Sequence, residues 1–162
     1  MGEMLTQTTE PKLDYLMTVR AELDEPQNLD SKTRIYNVSG GEAKGPAISA
    51  RLLPPSADWL RSLESGFRRL DVRLTLQTDD GDLIFMSYNG VLSPWSDEVS
   101  AKYMRGEPIT PADRIYGAIA PLFQTSSSKH AWLNGVQAIG KWAESRKVGD
   151  ERYIQWDIFV VK

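Results

Sequence analysis

The sequence contains no cysteine and only one histidine, His130, and these shortages exclude several kinds of site. Without cysteine there can be no disulfide bond, no thiol nucleophile and no thiolate metal ligand. Zinc and non-haem iron sites depend on several imidazole or thiolate ligands, so a single histidine argues against them as well. We therefore expect no bound metal ion.

The chain also lacks a basic excess and long hydrophobic runs. Its 162 residues carry a formal net charge of −3 at pH 7, whereas a nucleic-acid binder needs a basic surface. No run approaches the roughly 20 apolar residues of a membrane span. The N-terminal sequence MGEMLTQTTEPK has neither the basic nor the apolar region of a secretory signal. These features predict a cytoplasmic protein without nucleic-acid or membrane partners.

The strongest local pattern covers residues 70–90 and predicts a β-hairpin. Val72, Leu74 and Leu76 alternate with polar residues, which is the period of a strand with two unlike faces. Asp80-Gly81 suits the positive backbone angles of a tight turn, and an apolar run follows it. Because a hairpin alone is not stable in water, other strands must close around it.

The rest of the chain predicts more strands and one short helix. Ser96 is placed as the N-cap of a helix that ends near Arg105, before Gly106 and Pro108. Residues 57–63 fit either a helical turn or half of a hairpin, and the turn signal at 64–66 favours the hairpin. Further strands are predicted at 13–23, 34–39, 47–53, 115–123, 132–142 and 153–161. Residues 54–56 are expected to end the strand at 47–53.

Many short strands with regular turn signals indicate a mainly β protein, a single antiparallel barrel with one short helix. We predict one β-barrel domain over residues 13–162, preceded by a disordered segment at residues 1–12. The strand at 153–161 is predicted to lie at an edge of the sheet, where it could pair with a second copy, so a homodimer is plausible.

No catalytic signature is present, so candidate site residues must be polar side chains that face into the barrel. A small barrel either fills its interior with side chains or keeps a cavity for one ligand. Asp71 and Arg73 share a strand face and could orient a phenol, enol or carboxylate if they point inward. Facing outward they would be a solvated pair, which the competing apolar residues Val72, Leu74 and Leu76 favour.

Asp58 and three residues near the loop at 125–129 are further candidates. Asp58 lies beside Trp59; in a cavity its pKa would rise as an acid or base requires, but it could equally be a turn residue. His130, as a lone loop histidine, is more often a surface residue than a catalyst. Trp132 and Asn134 are predicted on one strand face, where tryptophan is more often core and a buried asparagine needs partners.

A set of short motifs, in this order and spacing, resembles the domain-of-unknown-function family three-two-three-seven. The likeness covers nearly the whole chain from Leu13. The motifs are GG at 40–41, GP at 45–46, ADW at 57–59, LTLQTDDGDLIF at 74–85 with Gly90, GEP at 106–108, P-x-F-x-T at 121–125 and AWLN at 131–134.

The resemblance implies a lipocalin-like barrel with an internal cavity, often an oligomer, and cofactor-free chemistry on a small aromatic or polyketide-like molecule. Asp58, Arg73, Trp132 and Asn134 match recurrent positions of the family. The chain departs from the family at residues 116–119, where YGAI lacks an arginine and a threonine, and at His130, where tyrosine is usual. These departures imply a roomier, more apolar pocket and add weight to His130.

We therefore predict a cofactor-independent enzyme that binds a hydrophobic aromatic molecule and catalyses acid–base cyclisation, isomerisation or hydration and elimination. A non-catalytic lipocalin-like carrier or sensor is the alternative, followed by a structural barrel with a filled interior. The predicted roles are Asp58 as proton acceptor, Arg73 as oxyanion stabiliser, Tyr116 or His130 as proton donor, and Asp71, Tyr88, Trp132 and Asn134 as substrate-binding residues.

Overall fold

The computed structural model describes Gly2 and residues 4–162, and within that part the chain forms ten β-strands, one α-helix and two short 3-10 turns. The 3-10 turns are Pro111–Asp113 and Ala131–Gly135. The other elements are β1 (Leu13–Leu23), β2 (Gln27–Asn28), β3 (Thr33–Lys44), β4 (Ser49–Ser62), β5 (Arg68–Thr78), β6 (Leu83–Leu92), α1 (Asp97–Met104), β7 (Gly117–Ile119), β8 (Leu122–Gln124), β9 (Ala138–Val148) and β10 (Glu151–Val161).

Eight of the strands close into an antiparallel barrel. Their order is β1-β10-β9-β7-β6-β5-β4-β3, and β3 pairs back with β1 to complete the circle. The short β8 continues the position of β7 alongside β6, and β2 extends one end of β3. The predicted antiparallel β-barrel with one short helix is confirmed.

The predicted hairpin is the β5–β6 pair. Thr78 and Asp82 bracket its turn, and the amide of Thr78 donates to the carbonyl of Asp82 at 2.9 Å. Val72, Leu74 and Leu76 face the interior and are almost completely buried. Because side chains alternate along a strand, their neighbours on β5 face solvent.

Closure of the barrel depends on a glycine in β3. The sequence predicted that this strand ends at Gly40-Gly41, but it continues to Lys44 and pairs with β1. Gly41 has φ +121, and a Cβ there would lie 2.1 Å from the carbonyl oxygen of Arg20. Only glycine permits this close approach of two backbones, so the glycine pair allows the first and third strands to meet.

The prolines at 54 and 55 do not end β4, which was a wrong prediction. They lie in a bulge, because Leu53 pairs with Thr75 whereas Ala57 pairs with Arg73, a shift of register. Ser56 is buried there and bridges the bulge: its hydroxyl donates to the carbonyl of Leu53 at 2.7 Å and accepts from the amide of Thr75 at 2.9 Å. The hairpin interpretation of residues 57–63 is confirmed by the β4–β5 connection.

Two predicted strands are also corrected. Residues 115–123 form two short strands, β7 and β8, that are separated by Ala120-Pro121. Residues 131–135 form a 3-10 turn rather than the start of a strand, and β9 begins only at Ala138. The helix prediction is confirmed: the amide of Val99 donates to the Ser96 hydroxyl at 3.2 Å, and Arg105 is the C-cap.

The prediction of an edge strand at 153–161 was wrong. β10 is hydrogen-bonded to β1 on one side and to β9 on the other, so its backbone groups are already used. A homodimer formed by pairing along that strand is therefore no longer expected. The homodimer itself stays a prediction, without this argument for it. The predicted disorder at 1–12 falls partly on residues outside the described part. Lys12 exchanges two backbone hydrogen bonds with Lys162, at 2.9 and 2.8 Å.

The barrel has two unlike ends. We call the end with α1, the β4–β5 turn and the β9–β10 turn the helix end. The far end carries the β3–β4 and β5–β6 turns and the 3-10 turn Ala131–Gly135. Leu133 of that turn is fully buried and the loop before it is tied down, since Ser127 donates to the Asp82 carboxylate at 2.5 Å.

Candidate functional site

A cavity opens inside the barrel at the helix end. Water-sized molecules can be centred in about 90 Å³ of it, which is room for several waters and for part of a small ligand. Its walls are mainly apolar and aromatic with a few polar groups, the composition typical of ligand sites. The lining residues that carry polar or aromatic groups are Tyr36, Asp58, Arg68, Tyr88, Trp95, Tyr103, Ser145, Arg152, Tyr153 and Trp156.

Asp58 brings a carboxyl group into the cavity wall. It follows the bulge in β4 and lies on the inner face of the strand together with Ser56 and Leu60. Its Oδ1 accepts the backbone N–H of Asp71 at 3.1 Å. Burial raises the pKa of Asp58 to about 7, against the lowering effects of that hydrogen bond and of Arg68. Near neutral pH this side chain can therefore both take and give a proton.

Two aromatic residues form the inner wall beside the carboxyl group. Tyr88 and Trp156 are buried, and their ring centroids lie 6.5 Å apart at an angle of 59°. Burial, and then the charge of Asp58, raise the pKa of the Tyr88 hydroxyl above its ordinary value. Tyr88 therefore keeps its proton and can serve as a hydrogen-bond donor.

Two arginines reach the same cavity from different strands. Arg68, at the start of β5, donates from Nη2 to the carbonyl of Ser93 at 3.2 Å, and its guanidinium lies 5.2 Å from the ring centroid of Trp95. Burial lowers the pKa of Arg68 from its ordinary value. Arg152, in β10, is buried and forms an ion pair through Nη2 with Glu25.

The entrance to the cavity lies under α1. Tyr36, Arg68, Trp95 and Tyr103 line both the cavity and an outer groove beside the helix. Trp95 and Tyr103 meet edge to face with ring centroids 5.0 Å apart. The helix thus supplies one of the aromatic side chains that separate the cavity from solvent.

Of the eight residues predicted for the site, the structure places Asp58 and Tyr88 in the cavity wall. Asp71 and Arg73 lie on the outside of β5, where their charged groups are 3.6 Å apart and 39% and 56% of their side chains is exposed. The guanidinium of Arg73 lies 5.6 Å from the ring centroid of Trp59, also outside. These two positions are corrected, because Val72 and Leu74 occupy the inner face of the strand.

The other four predicted residues are also away from the cavity. Tyr116 is exposed on the barrel exterior, with Lys141 Nζ 4.7 Å from its ring centroid. His130 is buried at the far end, where its amide donates to the Ser127 hydroxyl at 3.3 Å. Trp132 is exposed, and Asn134 bonds with the backbone of Thr125 at 2.8 and 2.9 Å. The 3-10 turn accounts for Trp132 and Asn134, which it places on the outside of the far end, whereas Tyr116 directly precedes β7 and His130 is buried just before the turn.

The sequence contained a signal for the cavity residues that were missed. Arg68 lies an even number of positions before Val72, Leu74 and Leu76, so it is on the same face of the strand as these core residues. In β10 the inner face is Arg152, Trp156, Ile158 and Val160. On both strands, the arginine occupies the inward position at the helix end of an otherwise apolar face. Tyr36, Trp95 and Tyr103 come from separate elements, and no local pattern connects them.

Two further observations concern cofactors and membranes. In Gly2 and residues 4–162, no group of three His, Cys, Asp or Glu side chains is arranged to hold a metal ion. The single α-helix of that part is too short, and not apolar enough, to cross a lipid bilayer.

Comparison with known proteins identifies the family. The sequence model of the family described as "Protein of unknown function (DUF3237)" matches residues 11–161. The chain belongs to this family. A UPF0311 protein of Rhodopseudomonas palustris is 30% identical over 144 residues, which are 86% of this chain and 91% of that protein. The resemblance recognised from the sequence motifs is therefore confirmed.

Solved structures of other proteins share the barrel. The crystal structure of the R. palustris protein superposes with a TM-score of 0.80 at 27% identity, covering 96% of this chain and all of that one. A β-barrel-like protein of Acinetobacter baumannii gives a TM-score of 0.73 at 26% identity, over 98% and 100% of the two chains. A chain described as an enzyme from Penicillium herquei shares the fold, with a TM-score of 0.65 at 18% identity over 98% and 100%.

Proposed function

We propose that this protein is a cofactor-independent enzyme that binds an aromatic or polyketide-like small molecule at the helix end and catalyses an acid–base reaction on it. Cyclisation, isomerisation and hydration or elimination all belong to this class, because each requires a proton to be removed and returned. The observation that carries the proposal is Asp58, a carboxyl group in a cavity wall whose pKa is raised to about 7 by burial.

The cavity contains the groups that such a reaction needs. The Asp58 carboxylate would take a proton from an acidic C–H or O–H group of the substrate, which leaves an enolate or phenolate. Arg68 would stabilise that oxyanion, because a fixed cation in a dry site acts strongly on developing charge. The protonated Asp58 would then return the proton to carbon or oxygen, so no redox change occurs.

The remaining lining groups would bind and orient the ring. Tyr88 keeps its hydroxyl proton and can donate to a substrate oxygen, while the faces of Trp156 and Trp95 offer apolar surface for an aromatic ring. Arg68 replaces Arg73 in the proposed mechanism because Arg73 lies outside the barrel. The enzyme of P. herquei indicates only that a barrel of this shape is compatible with catalysis.

Hydrogen–deuterium exchange of substrate C–H bonds tests the proposal without knowledge of the natural substrate. The probes are hydroxyacetophenones and aromatic β-diketones in D₂O, followed by proton NMR. Wild-type protein should accelerate exchange of the hydrogens next to the carbonyl, and the rate should rise with pH through about 7 as Asp58 ionises. Asp58→Asn should lower the catalysed rate by about a hundredfold or more.

The matched control is Asp79→Asn, which removes an exposed carboxylate from the β5–β6 turn at the far end and should leave exchange unchanged. Equal exchange by wild type and Asp58→Asn would contradict the assignment of Asp58. Binding of the probes without any accelerated exchange would indicate the alternative, a non-catalytic lipocalin-like carrier or sensor.

A further inference from the structure

Three residues that line the cavity carry a buried N–H group without an acceptor. In the described residues no hydrogen-bond partner is in reach of Trp95 Nε1, Trp156 Nε1 or Arg152 Nε. All three residues line the one cavity at the helix end. Trp156 and the Arg152 side chain are 1% and 8% exposed, so bulk water does not satisfy these groups. Buried polar groups in native proteins are almost always bonded, so this set requires an explanation.

The unsatisfied groups are all donors. An indole N–H cannot accept, and a guanidinium offers donors alone. Their common partner must therefore be rich in acceptor oxygens. A carboxylate is such a group, because its two oxygens provide about four acceptor positions and pair well with the planar guanidinium.

The charged residues of the cavity wall also favour an anionic ligand. Two cations, Arg68 and Arg152, line the cavity together with one carboxyl group, Asp58. Glu25 reaches Arg152 from the solvent side, and its side chain is 79% exposed. That ion pair uses Nη2 of Arg152 and leaves Nε without an acceptor in the described part of the chain.

We propose that the ligand of this cavity is an aromatic carboxylate, whose anionic group is received by the Arg152 Nε–H and the indole N–H groups of Trp95 and Trp156. This deepens the proposed function, on which it rests for the location of the ligand, by naming the substrate class. A neutral phenol of the same shape would satisfy fewer of the donors.

The experiment compares phenylacetate with phenylacetamide, which have nearly the same shape and differ in charge. The chain has five tryptophans, so its ¹H–¹⁵N spectrum contains five indole signals, which Trp→Phe variants assign. Phenylacetate should move the Trp95 and Trp156 signals downfield. The Trp142 signal should stay, because that indole already donates to the Ser145 hydroxyl at 3.0 Å. Phenylacetate should bind at least tenfold more tightly than phenylacetamide.

Two variants assign the effect to the arginine. Arg152→Gln should weaken phenylacetate binding about tenfold or more and leave phenylacetamide binding unchanged. Glu25→Gln, which changes a side chain that is 79% exposed, should tighten phenylacetate binding several-fold because it removes a competing carboxylate. Arg51→Gln is the control, since Arg51 is exposed and bonds to Gln77 outside the barrel.

Equal affinity for the two probes, or no movement of the Trp95 and Trp156 signals with phenylacetate, would overturn the proposal. The result is independent of catalysis. A neutral ligand preference with intact proton exchange would reject the carboxylate and keep the enzyme. Carboxylate binding without any Asp58-dependent exchange would support the carboxylate ligand and reject the proposed enzyme.

Discussion

The two halves of the barrel interior are built from the same strands but differ in what those strands bury. Toward the far end, Met17, Leu74, Leu76, Ile84 and Met86 are at most 1% exposed and fill the interior. Toward the helix end, the same sheet turns charged and hydroxyl-bearing side chains into an open cavity. β5 shows the change within a single strand, since its inner face carries leucines at one end and Arg68 at the other.

The difference separates stability from function along the barrel axis. Close-packed apolar side chains supply the favourable free energy of folding, whereas buried polar groups without partners reduce it. A barrel that filled both halves would be more stable but would have no site. The bulge at residues 54–56 lies between Leu52, which packs in the filled half, and Asp58, which lies in the cavity wall.

The largest difference between the halves should appear in the cost of truncating a leucine. Leu76→Ala removes a fully buried side chain from the packed half and should lower the free energy of unfolding by about 3–5 kcal/mol. Leu60→Ala borders the cavity and should cost roughly 1–2 kcal/mol, because one side of Leu60 already lacks close contacts. Urea unfolding measures both, and equal losses would contradict the contrast.

The next effect concerns the pH dependence of stability. The pKa of Asp58 is about 7 in the folded chain, against an ordinary value of 3.8. Between these values the folded chain holds a proton that the unfolded chain has lost, so stability falls as pH rises from about 4 to about 7. Removing this group with Asp58→Asn should abolish a loss on the order of 2–4 kcal/mol across that range.

Denaturant unfolding at several pH values provides the test, with Asp79→Asn as the control from the far end. The stability difference between wild type and Asp58→Asn should change between pH 4 and 8, whereas the difference for the control should show no such trend centred between 4 and 7. A difference for Asp58→Asn that is the same at all pH values would indicate a fully solvated carboxylate.

A smaller effect is expected at the boundary between the halves. Ser56→Ala removes both hydrogen bonds of the bulge and leaves the Thr75 amide without its acceptor, which should cost about 1–2 kcal/mol. It should also weaken probe binding, because Ser56 lies two residues before Asp58 and fastens this part of β4 to β5. Ser126→Ala, at an exposed loop position, serves as the control. Unchanged stability and binding would show that the bulge does not need its serine bridge.

The smallest effect is expected on the barrel exterior. Arg73→Gln removes a charge that is largely exposed and should change stability by less than about 0.5 kcal/mol. Exchange and probe binding should also be unaffected, whereas loss of the cavity arginine in Arg68→Gln should impair both. Impaired catalysis in Arg73→Gln would restore the role predicted for it from the sequence.

Local features of the fold could be predicted because they depend on neighbouring residues. The β5–β6 hairpin follows from alternation and the Asp80-Gly81 turn, and α1 follows from its Ser96 cap. The extension of β4 could not be predicted in this way, because proline usually ends a strand and one of the two compensating bonds of Ser56 forms with β5. Residues 132–135 were mistaken for the start of a strand because their aromatic and apolar composition suits a strand as well as a 3-10 turn.

The site was harder to predict because it depends on which face of each strand lies inside. Alternation separates Asp71 and Arg73 from Val72, and the apolar face indicated correctly that the charged pair would point outward. Extending that apolar face to Arg68 would have found the cavity arginine. The Arg152–Glu25 pair joins residues 127 positions apart in the chain, so no spacing rule reaches it.

The most direct test of the account is the titration of Asp58 itself. A ¹³C-carboxyl NMR titration, with the signal assigned by its absence in Asp58→Asn, measures the pKa in the folded protein. We predict a midpoint near pH 7, as expected for a carboxyl group buried in the cavity at the helix end. A midpoint near 4 would mean that Asp58 is solvated, and it would contradict both the acid–base proposal and the contrast between the two halves.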